Sequence, residues 1–182
     1  MTAEIELLKE GKIILYPTDT IWGIGCDATN DEACKKIIEL KKRSSSKSFI
    51  LLVDSFHMLE RYVPEFHEVC YDLADLATSP LTIIYPTSKG LAASVLAEDG
   101  SVGIRITKDP ICLKLIRGLK RPLVSTSANI SNEPNPIIFS EIDNEIISKV
   151  DGIVAERVNE TLLHPSQIIK IGLDGSVKVI RS

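Results

Sequence analysis

Ile13-Ile14-Leu15-Tyr16-Pro17-Thr18-Asp19-Thr20-Ile21-Trp22-Gly23-Ile24-Gly25-Cys26-Asp27-Ala28 decides what kind of α/β protein this chain forms. An apolar run of strand character enters a polar segment and then a Gly-x-Gly pair, which imitates the glycine fingerprint of dinucleotide-binding folds. A later apolar run even ends in Asp54, where a ribose-binding acid would sit. The fingerprint, however, needs its strand to run directly into the glycines, so that the backbone can turn beneath a pyrophosphate. Here the kinked polar segment Pro17-Thr18-Asp19-Thr20 intervenes, and the doubly wound oxidoreductase is rejected. Trp22, between this polar loop and the glycines, is read as packing rather than as a ligand-facing ring.

Working outward, strands and helices alternate without clean repetition. Thr2 is a cap for a helix through Glu10, closed by Gly11, and Ile13–Tyr16 is the first buried strand. Asn30/Asp31 opens a helix to Lys42, and Phe49–Val53 is a strand. Helices are expected over Phe56–Tyr62 and Pro64–Ala77, and strands over Leu81–Tyr85 and Ser101–Ile106. Asp109-Pro110 starts a helix to Gly118, Leu123–Ser125 is a short strand, and Ser140 caps a helix through Lys149. Gly152–Ala155, Gln167–Ile171 and Val177–Ile180 close the chain as strands, with Asp174-Gly175 as a hairpin turn. The expected architecture is an α/β fold with an open, twisted, mixed sheet and flanking helices around a concave basic cavity, formed by residues 1–182 as one domain.

Two polar clusters are the candidate site. Pro122-Leu123-Val124-Ser125-Thr126-Ser127-Ala128-Asn129-Ile130-Ser131 brings three hydroxyls and a carboxamide out of the end of an apolar strand. Such short-reach groups suit phosphate or ribose oxygens and free backbone amides, although the same residues also make ordinary turns. Leu40-Lys41-Lys42-Arg43-Ser44-Ser45-Ser46-Lys47-Ser48 concentrates cations in a chain whose formal net charge is −4. Lys41 and Arg43, two apart, share a side of an extended segment and can converge on one anion, whereas Lys42 reads as a solvated helix end.

Bulk properties exclude several classes. The chain has 182 residues and is 44% apolar, enough for a full core, and its charge balance argues against a long duplex-binding face. The acidic start Met1-Thr2-Ala3-Glu4-Ile5-Glu6 is no secretory signal, and no apolar stretch is long enough for a bilayer. Cys26, Cys34, Cys70 and Cys112 form no C-x-x-C pair and His57, His67 and His164 lack zinc-ligand spacing, so reduced thiols and a cytoplasmic location are expected. There is no G-x-x-x-x-G-K-[ST] loop and no G-x-S-x-G elbow. Any ATP chemistry must therefore use another phosphate cradle.

The order Tyr-Pro-Thr-Asp-Thr, Gly-x-Gly, Lys-x-Arg, Ser-x-Asn, with Ser79-Pro80-Leu81-Thr82, Val102-Gly103-Ile104-Arg105-Ile106 and Asn132-Glu133-Pro134-Asn135-Pro136, resembles the YrdC/Sua5 family of threonylcarbamoyl-AMP synthases over almost the whole chain. The resemblance implies an enzyme that joins L-threonine and bicarbonate to a carbamate, whose oxygen attacks the α-phosphorus of ATP. Pyrophosphate leaves, and the product supplies a downstream protein complex that modifies tRNA adenosine. It further implies that Lys41 and Arg43 act catalytically, that Arg43, Lys47, Thr82, Ser127, Asn135 and Arg181 bind ATP, and that Asn129 orients the loop or the phosphates. Thr18, Ser125 and Ser166 would bind threonine, and Mg²⁺ would arrive with ATP, held by phosphates and water.

The chain departs from the family pattern in three places. After Arg43 it has Ser44, Lys47 and Ser48-Phe49, and Leu52 stands where relatives carry a His that contacts threonine. Thr78-Ser79-Pro80 replaces a Pro-Gly-Pro, and the chain ends at Arg181-Ser182, resembling the short form without an added C-terminal domain. Two other functions are compatible with these residues. One is a non-catalytic RNA-binding module using Lys41, Arg43, Lys47 and Arg105, against which the scarcity of aromatics for base stacking counts. The other is a relative acting on carbamoyl-phosphate-derived intermediates, as this fold does inside larger hydrogenase-maturation proteins.

Overall fold

In the central strands, alternate side chains point to opposite faces of the sheet, and the two faces differ in chemistry. The computed structural model describes residues 1–42, 49–162 and 165–182. Its elements are α1 (Thr2–Lys9), β1 (Ile14–Pro17), β2 (Trp22–Gly25), α2 (Asp31–Leu40), β3 (Ile50–Val53), α3 (Phe56–Tyr62), α4 (Val69–Leu76) and β4 (Leu81–Tyr85). They continue as β5 (Val102–Ile106), α5 (Pro110–Leu119), β6 (Leu123–Ser127), α6 (Asn144–Lys149), β7 (Gly152–Ile153), β8 (Gln167–Ile171) and β9 (Val177–Arg181). Among the described residues the strands form one mixed sheet in the order β7-β1-β2-β6-β3-β5-β4-β8-β9.

Register fixes which residues share a face. Ile50 pairs with Gly103 on one side and Ser125 on the other, Leu52 with Arg105 and Leu123, Ile84 with Gly103, and Thr82 with Ile168. These residues belong to one face, where small and polar side chains interrupt the aliphatic ones. Leu51, Val53, Ile83, Tyr85, Ile104 and Val124 lie on the other face and are buried. There Tyr85 meets Phe66, which meets Tyr71 of α4, so α4 covers that side. Each such aliphatic side chain removed from water contributes about 1.5–3 kcal/mol, which locks the register and hence the polar face.

The Gly-x-Gly pair is a strand feature. Gly23 and Gly25 lie within β2, antiparallel to β1, and Gly23 is the partner of Tyr16. A Cβ on Gly25 would collide with the Val124 carbonyl and stand 2.7 Å from the Tyr16 ring. The absent side chains let Tyr16 cross β2 and donate its hydroxyl proton to the Val124 oxygen of β6 at 2.9 Å. Burial pushes the Tyr16 phenol well above its ordinary pKa, keeping it a neutral donor. Periodicity over four residues with two glycines carries too little signal to reveal β2, so this strand was not expected from the sequence.

Several boundaries also differ from expectation. Met1, not Thr2, is the cap residue of α1, and no side chain bonds there. The helix expected from Pro64 begins at Val69, and the one expected from Ser140 begins at Asn144 under an Asp143 cap, after a 3₁₀ turn at Phe139–Glu141. Asn30 and Asp109 cap α2 and α5 as their sequences predict. Trp22 is fully buried and meets Phe139 at 5.0 Å between ring centroids, which is the packing role expected for it.

Gly25→Ala is expected to destabilise the protein by about 1–3 kcal/mol, because the methyl group overpacks the β2–β6 contact and displaces Tyr16. Urea denaturation at constant m-value checks this; an unchanged midpoint would mean that β2 has room to spare.

Candidate active site

The mixed face opens into a cavity of about 290 Å³, where Ile50, Thr82, Ile84, Gly103 and Ile168 line the base. Gly103 keeps this base low. A Cβ there would stand 3.3 Å from the Thr82 methyl and 3.9 Å from Ile50 Cγ1. Around it stand Thr20, Ser125, Ser127, Asn135, Ser166 and two guanidinium groups, Arg105 and Arg181. Ser125 and Ser127 come from alternate positions of β6, and Ser127 is the last residue of that strand.

Arg105 is 3% exposed in the middle of an apolar strand. Its Nη2 lies 3.1 Å from Asp19 Oδ1 and its Nη1 donates to Thr20 Oγ1 at 3.2 Å. The buried Nε has no hydrogen-bond partner among the described residues. A buried donor without an acceptor is costly by about 1–3 kcal/mol, and the residue that carries it lines the cavity. Arg181 returns from β9 and donates from Nε and Nη2 to the Ser166 carbonyl at 2.9 and 2.6 Å. Burial, reinforced by the charge of Arg105, lowers the proton affinity of Arg181 from its ordinary value. The two cations therefore favour an anion in the space they share. The Ser166 and Thr82 hydroxyls bond to each other at 2.8 Å, joining the residue that precedes β8 to β4 at the cavity edge.

Lys41 occupies a different place from the one expected. Its side chain is 1% exposed, and its Nζ donates to the carbonyls of Ser127 and Asn129, each at 2.5 Å, and to Asn129 Oδ1 at 3.3 Å. The Lys41 carbonyl in turn accepts from the Ser131 amide at 2.9 Å. Helix α2 has ended at Leu40, and Lys42 with φ 49° turns the chain away. In the structure the Lys41 ammonium acts as a clamp on the carbonyls at the strand end, and Lys41 does not line the cavity where a phosphate contact was expected. Asn129 completes the clamp by donating Nδ2 to the Glu133 carbonyl at 2.6 Å, and it lies behind the wall rather than on it. Lys42 is exposed and pairs with Glu145, in line with the solvated role expected of it.

Thr18 is likewise set back. Its hydroxyl donates to the Ile21 carbonyl at 2.8 Å, accepts from the Thr20 and Ile21 amides, and sits 2.8 Å from Thr20 Oγ1. The hydroxyl is fully used in making the turn. Thr20, two residues on, faces the cavity in its stead. Of the other expected residues, Thr82, Ser125, Ser127, Asn135, Ser166 and Arg181 are brought together on the wall. Arg43 and Lys47 lie outside the described residues. Leu52 is fully buried beside Arg105, away from the cavity surface. Sequence reasoning gave Arg105 no part in substrate binding and missed Thr20 and Gly103. An arginine and a glycine inside the strand Val102–Ile106 were the available signal, since an arginine is almost never fully buried unless it is paired.

With this geometry in place, comparison with known proteins defines the class. Residues 6–182 match the Sua5_yciO_yrdC family model, described as telomere recombination. The chain is 31% identical over 153 residues to the threonylcarbamoyl-AMP synthase of Vibrio parahaemolyticus, covering 82% of this chain and 83% of that protein. It is 29% identical over 180 residues to the threonylcarbamoyl-AMP synthase of Pseudoalteromonas translucida, covering 97% and 95%. The crystal structure of P. abyssi Sua5 complexed with L-threonine superposes with a TM-score of 0.86 at 30% identity, covering 93% of this chain and 50% of that one. The chain thus spans half the length of that protein. It belongs to the Sua5/YciO/YrdC family, and its mixed sheet is the fold of that family.

Two substitutions separate clamp from cavity. Lys41→Met leaves two buried carbonyls and a carboxamide oxygen without their donor and is expected to destabilise by about 2–4 kcal/mol in chemical denaturation. Unchanged stability with lost turnover would restore Lys41 to the phosphates. Gly103→Val should leave the melting temperature within a few degrees while filling the cavity base and weakening nucleotide binding at least about tenfold by calorimetry. Undiminished binding would put the nucleotide elsewhere.

Proposed function

We propose that this protein is a threonylcarbamoyl-AMP synthase, consuming L-threonine, bicarbonate and ATP and releasing pyrophosphate. The observation that carries the proposal is the unpartnered Nε of Arg105, buried in the wall of a cavity that also holds Arg181 and a row of hydroxyls. It is supported by the two relatives named for that activity and by the threonine complex of P. abyssi Sua5.

In this reading Arg105 takes the threonine carboxylate, and Ser125, Thr20 and Ser166 surround the rest of the amino acid. Thr82, Ser127, Asn135 and Arg181 hold the nucleotide, with Arg43 and Lys47 reaching its phosphates. Asn129 and Lys41 hold the strand end from behind. The carbamate forms from the threonine amine and bicarbonate with loss of water. One of its oxygens then bonds to the α-phosphorus while the bond to the pyrophosphate oxygen breaks. Nucleotidyl transfer of this kind depends on alignment and on stabilising charge at the phosphate oxygens, so fixed cations and hydroxyls suffice without a covalent protein intermediate. The buried thiols fit that view: Cys34 and burial raise Cys26, and burial raises Cys112 and pushes Cys70 up to about 11.

Among the described residues no group of three or more His, Cys, Asp or Glu could hold a metal. Asp19 is paired with Arg105. Mg²⁺ would therefore be bound chiefly by ATP phosphates and water, supplying charge neutralisation there. Among the described residues no helix is long and apolar enough to cross a membrane. Residues 1–182 act as one catalytic unit in the cytoplasm, and the product passes to a tRNA-modifying complex.

Pyrophosphate release should require threonine and bicarbonate, each omitted in turn. Serine, lacking one methyl, should be poorer by about 10- to 200-fold. Valine, which leaves a polar partner of the hydroxyl unpaired, should be near background. Equal release with all three amino acids, or without bicarbonate, would contradict the proposal. Salt-sensitive RNA affinity without ATP turnover would favour the RNA-binding module.

A further inference from the structure

Arg157 stands 139 positions from Thr18 in the chain, yet its Nη1 donates to the Thr18 carbonyl at 3.3 Å. The same nitrogen donates to Asp109 Oδ2 at 2.6 Å. Asp109 is itself built in. Its carboxylate is 2% exposed, Oδ1 accepts from the Ile111 and Cys112 amides at the start of α5, and its own amide donates to Thr107 Oγ1. The backbone of Arg157 has φ 56°, a conformation that glycine adopts without penalty and an arginine does not. Arg157 adopts this conformation at 21% side-chain exposure, with its guanidinium bonded to Asp109 and Thr18 and its Nε 3.7 Å from Glu160 Oε2.

The bonds lead to the cavity. Thr18 organises the turn through Ile21, and Thr20 at its centre accepts from Arg105 Nη1. The turn is gripped from two sides, by Arg105 at the wall and by Arg157 behind it. We propose that Arg157 is a positioning residue for the amino-acid half of the cavity: it ties the Thr18 carbonyl to the fixed Asp109 carboxylate and so holds Thr20 and Arg105 in place for the carboxylate of the substrate. The assignment of that half rests on the synthase reading above, whereas the mechanical link stands without it.

The experiment uses the full chain with Arg157→Gly, Arg157→Lys and Asp109→Asn. Glycine relieves the backbone and removes the guanidinium, lysine can keep one of the two bonds, and asparagine retains the helix cap while weakening the ion pair. In the pyrophosphate assay Arg157→Gly should raise KM for threonine about tenfold with KM for ATP changed less than about twofold, and Arg157→Lys should recover part of the loss. Without ligands, hydrogen exchange in Arg157→Gly should speed up at the Thr20 and Ile21 amides and stay unchanged in β3 and β5. Equal rises in both KM values, an unchanged threonine KM, or unaltered exchange at Thr20 and Ile21 would each overturn the proposal. Should Arg157→Gly fail to fold, the same comparisons in Arg157→Lys and Asp109→Asn decide. If the wild-type protein releases no pyrophosphate with threonine, the synthase reading falls, and hydrogen exchange alone decides whether Arg157 holds the turn.

Discussion

Everything at the site depends on a polar row running through the middle of a buried sheet. Thr82, Gly103, Arg105, Ser125 and Ser127 share a face because the register of β3, β4, β5 and β6 is locked by the aliphatic residues of the other face. A one-residue slip would put the polar set into the core and is prevented by the burial of Leu51, Ile83, Ile104 and Val124. Polar groups so placed must be paired, and the rest of the architecture supplies the partners. Asp19 and Thr20 meet Arg105, the Ser166 carbonyl meets Arg181, and the Lys41 ammonium meets the strand-end carbonyls. Arg105 Nε and Trp22 Nε1 are the buried donors left without a partner among the described residues, and Arg105 lines a cavity sized for a ligand.

This arrangement places rigidity where alignment demands it. The two arginines and the hydroxyls of β6 sit on strands or are fixed by groups that do not touch the cavity. Charges held in advance need no reorganisation when the phosphorus is attacked. Lys41, buried, and Arg157, partly exposed, share one design in which a cation behind the wall fixes a backbone carbonyl. In both, the guanidinium or ammonium donates to a backbone carbonyl.

Long apolar strands and capped helices were legible in the sequence because burial and capping are local signals. Leu81–Tyr85, Gln167–Ile171 and Asp109-Pro110 appear where they were expected. The polar runs around Thr18 and Ser125 were also legible as a site, but the choice between wall and support was not. Thr18 and Thr20 have the same chemistry, and only the turn geometry decides which hydroxyl is consumed. Lys41 read as an anion ligand because a sequence cannot reveal that the carbonyls of residues 127 and 129 pass above it. Strand β2 escaped notice because its glycines accommodate Tyr16, a contact between neighbouring strands that no periodicity encodes.

A crystal structure with L-threonine and a non-hydrolysable ATP analogue tests the central claim most directly. The account predicts both ligands in the one cavity, with the threonine carboxylate accepting from Arg105 Nε and the nucleotide above Ile50, Ile84 and Gly103. Arg105 Nε left without an acceptor while threonine is bound elsewhere, or a nucleotide seated outside this cavity, would contradict it.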